Sequence, residues 1–137
     1  MNKKITLVCS NYNSDLWIDD YLKCVNNQID KDFNIIFLDA NSSDNSLNKI
    51  KNFNFDKNIG IEIIESKNRI SLYSAWNICI KQTKTNYIMN YNTDDLIYDY
   101  ATSVYNNKIF KNPDVDIFYG PCGIIKNRNI NDYVSYH

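Results

Sequence analysis

Asn92, Asp94 and Asp95 follow directly on the apolar and aromatic run Tyr87-Ile88-Met89-Asn90-Tyr91. Two adjacent carboxylates repel each other and are costly unless a cation or hydrogen-bond donors compensate them. Hard oxygen donors of this kind suit Mg²⁺ or Mn²⁺, which commonly bind through one or two carboxylates and complete their shells with substrate phosphates. A metal held there would neutralise charge on a departing phosphate. The plainer alternative is a solvated turn that caps the next helix, because Asp is favoured at N-caps. A further acid, Asp39, ends a second apolar run, Phe33-Asn34-Ile35-Ile36-Phe37-Leu38. At such a strand end it could accept hydrogen bonds from a base N–H or a ribose hydroxyl.

Other chemistries are excluded by what the chain lacks. The only His is the last residue, so no Ser-His or Cys-His nucleophile pair is available inside the chain. Neither G-x-x-x-x-G-K-[ST] nor G-x-G-x-x-G occurs, which removes the P-loop and the classical dinucleotide fingerprint. Cys9, Cys24, Cys79 and Cys122 include no C-x-x-C pair, so a zinc site is not expected, and buried reduced thiols are. With 15 basic and 16 acidic residues the net charge is -1, unlike a nucleic-acid-binding surface. No signal peptide and no apolar run long enough to span a bilayer is present, so a cytoplasmic protein is expected.

The elements that must position these acids alternate in type. Ile5-Thr6-Leu7-Val8-Cys9 reads as a strand buried on both faces, ended by Ser10-Asn11-Tyr12-Asn13. Ser14 or Asp15 can cap a helix to about Gln28, with Trp17, Ile18, Tyr21, Leu22 and Val25 on one face. Residues 33–39 form the second strand, and Asn41-Ser42-Ser43-Asp44 turns into a short helix through Ile50. Ile61–Glu65 is the third strand, followed by a helix from Ser71 with Leu72, Ala75, Trp76, Cys79 and Ile80 aligned. The run ending at Tyr91 is the fourth strand. A helix is predicted from about Ile97 to Phe110, and a fifth strand over Val115–Tyr119. Strict alternation of strand and helix implies an α/β fold, a mostly parallel sheet with helices on both faces. In open sheets of this type ligands bind outside the carboxyl ends of the strands. Ser10, Asp39 and the segment from Asn92 to Asp95 all fall there.

Taken in this order, the segments resemble the nucleotide-sugar-binding half of the family-two inverting glycosyltransferases, which have the GT-A (Rossmann-like) fold. Thr6 to Asn13 resembles the family's opening strand ending in Pro-Thr-Tyr-Asn, and Trp17 to Gln28 its first helix. Ile35 to Asp44 resembles the strand and turn usually written Val-Asp-Asp-Gly-Ser-Thr-Asp. Leu72 to Asn77, then Tyr87-Ile88 and Asn92 to Asp95, resemble the helix and the Asp-x-Asp region. The resemblance covers roughly residues 4–120. It implies that Tyr12 and Asp39, with Ser10 beside them, contact the nucleotide base. Asn92 would face the ribose or diphosphate, and Arg69 the base or phosphate. Asn77 matches a family Asn. Asp94 would bind Mn²⁺ or Mg²⁺ with Asp95 close by.

The implied function is binding of a nucleotide-diphosphate sugar, with uridine as the expected base, and inverting transfer to a saccharide or other hydroxyl acceptor. Three departures stand out: Ala40 replaces the second Asp of the family turn, Asn41 replaces its Gly, and Asn92 takes the first acidic position of the Asp-x-Asp region. Asn tolerates the left-handed backbone, so the turn is expected to survive. Family members continue well past the fifth strand, through the part that supplies the acceptor site and the general base. Residues 1–137 are therefore expected to be a single domain cut short at its C-terminal end, with the catalytic base unknown and Asp132 in no recognisable base motif. Two other classes remain: a non-catalytic sugar-nucleotide-binding module, and a receiver-like domain, which the lack of a Lys after the fifth strand disfavours. A homo-oligomer stays open.

Overall fold

A computed structural model describes residues 3–125 and 133–135. The strands β1 (Ile5–Asn11), β2 (Phe33–Asp39), β3 (Gly60–Glu65) and β4 (Tyr87–Asn90) form one sheet in the order β3-β2-β1-β4. Every pairing in it is parallel. The two central strands are the two continuous apolar runs, as burial on both faces requires. β1 and β2 pair in a register that sets Asn11 beside Asp39, so their polar ends finish together.

Side chains leave the sheet alternately to opposite faces. Leu7, Cys9, Ile35 and Phe37 enter one core with Ile18, Tyr21, Leu22 and Val25 of α1 (Ile18–Asn26). Ile50 of α2 (Ser46–Asn52) and Ile109 of α4 (Ala101–Lys111) complete it. Val8, Ile36 and Leu38 face the other way, onto Ala75 and Cys79 of α3 (Leu72–Gln82). Helices therefore cover both faces, as expected, but three lie on one side and one on the other.

The structure corrects four expectations. Val115–Tyr119 is not a strand, and among the described residues the parallel sheet ends at β4. Phe118 packs against the core, but Ile117 and Tyr119 are 79% and 94% exposed, so that side of the run meets no layer among the described residues. A short antiparallel pair, β5 (Gly123–Ile125) with β6 (Tyr133–Ser135), forms instead. The last helix begins at Ala101, not near Ile97, because Gln28 holds the preceding turn: its Nε2 donates to the Tyr98 carbonyl at 2.9 Å and its Oε1 accepts from Thr102 N–H at 3.1 Å. The first helix begins at Ile18 and makes no side-chain cap; the Ser14 carbonyl, not its hydroxyl, accepts from the N–H groups of Trp17 and Ile18. That helix also stops at Asn26, short of Gln28.

The cysteine expectation holds in the main. All four are free; Cys9 and Cys79 are buried and Cys24 is half-buried, while Cys122 is exposed. Burial pushes the Cys9 thiol up to about 12, which leaves it inert as a nucleophile.

Candidate functional site

The floor of the site is the paired end of β1 and β2. Asp39 is 2% exposed, so its carboxylate needs donors to be stable there. It has three: Asn11 Nδ2 at 2.6 Å and Ser42 Oγ at 2.6 Å on Oδ1, and Ser42 N–H at 2.9 Å on Oδ2. Asn11, itself fully buried, also donates to Ser46 Oγ at 3.0 Å and so ties β1 to the first residue of α2.

The two loops above this floor interlock. Asn13 N–H donates to Ser42 Oγ at 3.0 Å, and Ser43 N–H donates to Asn13 Oδ1 at 2.8 Å. Asn13 and Asn41 take left-handed backbone, with φ of 49° and 64°, a conformation Asn adopts at little cost. The turn thus survives the replacement of the family's Gly by Asn41. Asp44 accepts from the N–H groups of Asp15 at 2.8 Å and Ser46 at 3.0 Å. Burial alone would raise its pKa, but the Ser46 hydroxyl and these amides outweigh that and hold it below the usual carboxylate range.

A cleft of about 730 Å³ opens over these strand ends. One wall carries Ser10, Tyr12 and Ala40; another carries Arg69, Ile70 and Ser71; the third carries Asn92, Thr93 and Asp94. The Arg69 guanidinium stacks on the Tyr12 ring, 4.5 Å from its centroid, giving a flat cationic and aromatic platform. Two residues after Arg69, Ser71 caps α3 by accepting from Ser74 N–H at 3.1 Å.

The acidic wall is anchored from α1. The Tyr21 hydroxyl donates to the Tyr91 carbonyl at 3.0 Å and the two rings stack at 4.4 Å. Thr93 Oγ1 donates to Ser14 Oγ at 2.9 Å in a buried contact. The turn closes on itself where Asp95 N–H donates to the Asn92 carbonyl at 3.1 Å. Asp94 is exposed and lines the cleft. Partial burial of its carboxylate, and then the charge of Asp94, raise the pKa of Asp95. Asn92 Oδ1 is buried with no hydrogen-bond partner among the described residues, an oxygen left short of a donor or cation.

Of the residues expected from the sequence, Ser10, Tyr12, Arg69, Asn92 and Asp94 meet in this cleft. Asp95 adjoins it without lining it. Asp39 lies beneath Ala40, buried. Asn77 is exposed on α3 and does not line the cleft. Asp132 lies outside the described residues. Asn11 and Ser42 were missed by sequence reasoning; the signal available was that an acid ending a buried strand must find donors nearby. Among the described residues no cluster of three or more His, Cys, Asp or Glu side chains could hold a metal by itself. Asp94 on the cleft lining, with Asp95 adjacent, could offer only part of an oxygen shell, while Asn92 Oδ1 is buried and unpartnered. Such a partial set fits a hard cation whose remaining ligands come from a diphosphate.

A parallel sheet with its cleft and acids at the carboxyl ends of the strands is the nucleotide-binding architecture of the GT-A class. Comparison with known proteins agrees. The chain matches the family described as glycosyl transferase family 2 over residues 6–133. It is 29% identical over 111 residues to the teichoic acid poly(glycerol phosphate) polymerase of Staphylococcus epidermidis, covering 81% of this chain and 15% of that protein. The structure of S. aureus TarS in complex with UDP superposes with a TM-score of 0.73 at 18% identity, over 80% of this chain and 33% of that one. The mannosyltransferase PcManGT from Pyrobaculum calidifontis, in complex with GDP-Man and Mn²⁺, gives 0.61 at 14% identity, over 70% and 29%. The chain belongs to glycosyl transferase family 2. It spans about one-seventh of the curated relative and a third of the TarS chain. No helix among the described residues is long and apolar enough to cross a membrane.

Proposed function

We propose that the cleft binds the nucleotide-diphosphate part of a sugar donor, with uridine as the base, and that the chain serves transfer of the sugar to a hydroxyl acceptor with inversion. The observation that carries this reading is the meeting, on the lining of one cleft, of the Tyr12–Arg69 platform and Asp94. A flat aromatic and guanidinium surface suits a base, and a carboxylate flanked by an unsatisfied amide oxygen suits a metal-bound diphosphate. The TarS and PcManGT complexes with UDP and with GDP-Man and Mn²⁺ support the ligand class.

Each residue then has a task. Tyr12 and Arg69 hold the base, with Ser10 beside it. Asp39 acts from below, through the turn it fixes under Ala40. Asn92 faces the ribose or diphosphate. Asp94, with Asp95 adjacent, holds Mn²⁺ or Mg²⁺. A divalent cation bound there supplies charge neutralisation for the leaving diphosphate. The cleft walls align the sugar by positioning alone, which is a large share of catalysis in such transfers. The general base for the acceptor must sit on the far side of the sugar from these acids, within hydrogen-bond reach of the attacking hydroxyl.

The test is calorimetry of UDP binding with Mn²⁺, with Mg²⁺ and with chelator. Binding should weaken at least tenfold on chelation, and Asp94→Ala should abolish that difference while leaving the fold intact. Equal UDP binding with and without metal would refute the role of Asp94.

A further inference from the structure

Asp94 reaches the cleft on a turn that the sheet does not hold. The β1–β4 ladder ends with Val8 beside Asn90, and the Tyr91 N–H donates to the Val8 carbonyl at 3.1 Å. Beyond it, the bond from the Asp95 N–H to the Asn92 carbonyl fixes the shape of the turn but not its direction. Direction has to come from side chains outside the turn, and one stretch of chain supplies three. Tyr21 holds Tyr91 before the turn, its hydroxyl donating to that carbonyl at 3.0 Å. Cys24 holds Ile97 after the turn: its Sγ donates to the Ile97 carbonyl at 2.9 Å and accepts from the Ile97 N–H at 3.4 Å. Tyr21 and Cys24 lie one helical turn apart in α1 and so share a face. The third is Ser14, whose carbonyl starts α1 and whose hydroxyl accepts from Thr93 Oγ1 at 2.9 Å.

The Thr93–Ser14 bond differs from the other two in where it lies. Both residues line the cleft, and they are only 6% and 4% exposed. Thr93 stands between Asn92 and Asp94 in the chain. The loop that carries Ser14 is secured on its own account: Asn13 N–H donates to Ser42 Oγ at 3.0 Å and Asp15 N–H to Asp44 Oδ2 at 2.8 Å. Ser14 is therefore the fixed end of the bond, and Thr93 the end that is held. Buried hydroxyls cannot exchange a lost partner for water without cost. A small hard cation, in turn, demands near-ideal placement of its oxygen ligands.

Resting on the reading of this cleft as a site for a metal-bound nucleoside diphosphate, we propose that Thr93 is a positioning residue: its buried bond to Ser14 sets where Asp94 stands relative to the Tyr12–Arg69 platform. In this role the hydroxyl touches neither cation nor nucleotide. It acts through the direction of the turn. Its loss should lower the metal-dependent part of nucleotide binding and spare the metal-independent part.

The test is calorimetry of UDP binding to the whole chain in Mn²⁺ and in chelator; the ratio of the two affinities is the metal gain. Thr93→Val keeps the shape of the side chain and removes the hydroxyl. Its metal gain should be about fivefold smaller than the parent's, the scale of one neutral hydrogen bond, with the affinity in chelator unchanged. Ser14→Ala, which leaves the Ser14 carbonyl in place, should show the same loss, and the double variant no further loss. Thr93→Ser should recover most of the gain. A folded Thr93→Val or Ser14→Ala with the parental metal gain overturns the proposal, as do losses that add in the double variant. So does a Thr93→Ser protein no better than Thr93→Val, or a loss equal in Mn²⁺ and in chelator, the mark of general damage to the fold. A parent chain with no metal gain would sink the Asp94 reading itself, and the role of Thr93 with it.

Discussion

Asp39→Asn separates a carboxylate that holds a turn from one that reads a ligand. In the structure Oδ1 takes two donors, Asn11 Nδ2 and Ser42 Oγ, and Oδ2 takes Ser42 N–H. An Asn offers one carbonyl oxygen and one NH₂ group, so whichever way it turns, a donor meets a donor at a site that is 2% exposed. Hydrogen bonds to a charged acceptor are worth about 1.5–3 kcal/mol each, and a buried donor left unmatched costs about 1–3. Losing one bond and straining another should destabilise the fold by about 2–4 kcal/mol, or roughly 10 °C in Tm for a domain of this size. Urea unfolding at pH 7 measures it, with Asp94→Asn as control. That exposed side chain should change stability by less than about 0.5 kcal/mol. An Asp39→Asn protein as stable as the parent, yet weakened for uridine nucleotides more than for guanine ones, would refute the turn-holding role and make Asp39 a direct reader of the base.

Asp44 gives a pH dependence with a definite sign. Its folded pKa is depressed, so its contribution to stability is fully present above the unfolded carboxylate value of about 3.9 and is lost as pH falls through the lower folded value. The urea midpoint of Asp44→Asn should therefore lie below that of the parent at pH 7, and the two should converge in acid; a constant gap would contradict this. Arg69→Lys keeps the charge but not the flat surface over Tyr12. It should weaken UDP binding nearly as much as Arg69→Ala in the same titration, whereas full retention by Lys would show that charge alone is used.

Much of this arrangement was legible in the sequence because the strongest signals were local. The runs at Ile5–Cys9 and Phe33–Leu38 have the apolar continuity of strands buried on both faces, and they are the two central strands. The polar residues that follow the runs of β1 and β4 had to emerge at the carboxyl end of a parallel sheet, which brought Ser10 and Asp94 into one cleft. Asn41 could be read as left-handed because few other residues tolerate that backbone.

What failed depended on partners that no local pattern names. Val115–Tyr119 has strand composition, but composition does not supply a neighbour to pair with, and none is found among the described residues. The start of α4 was misplaced because Gln28, distant in the chain, decides where the helix begins. The depth of Asp39 was not apparent because its donors, Asn11 and Ser42, look like ordinary turn formers.

The role of Asp94 is decided by where a divalent cation sits when a nucleoside diphosphate is bound. Mn²⁺ is paramagnetic and broadens the NMR signals of nuclei near it, so ¹⁵N spectra of the whole chain with UDP and sub-stoichiometric Mn²⁺ locate it directly. Broadening should centre on residues 92–95, with Ser10 and Ala40 affected next, and should be lost in Asp94→Ala. Broadening centred instead on Asp15 and Asp19, the acids paired with Lys49, or broadening unchanged by Asp94→Ala, would contradict that role.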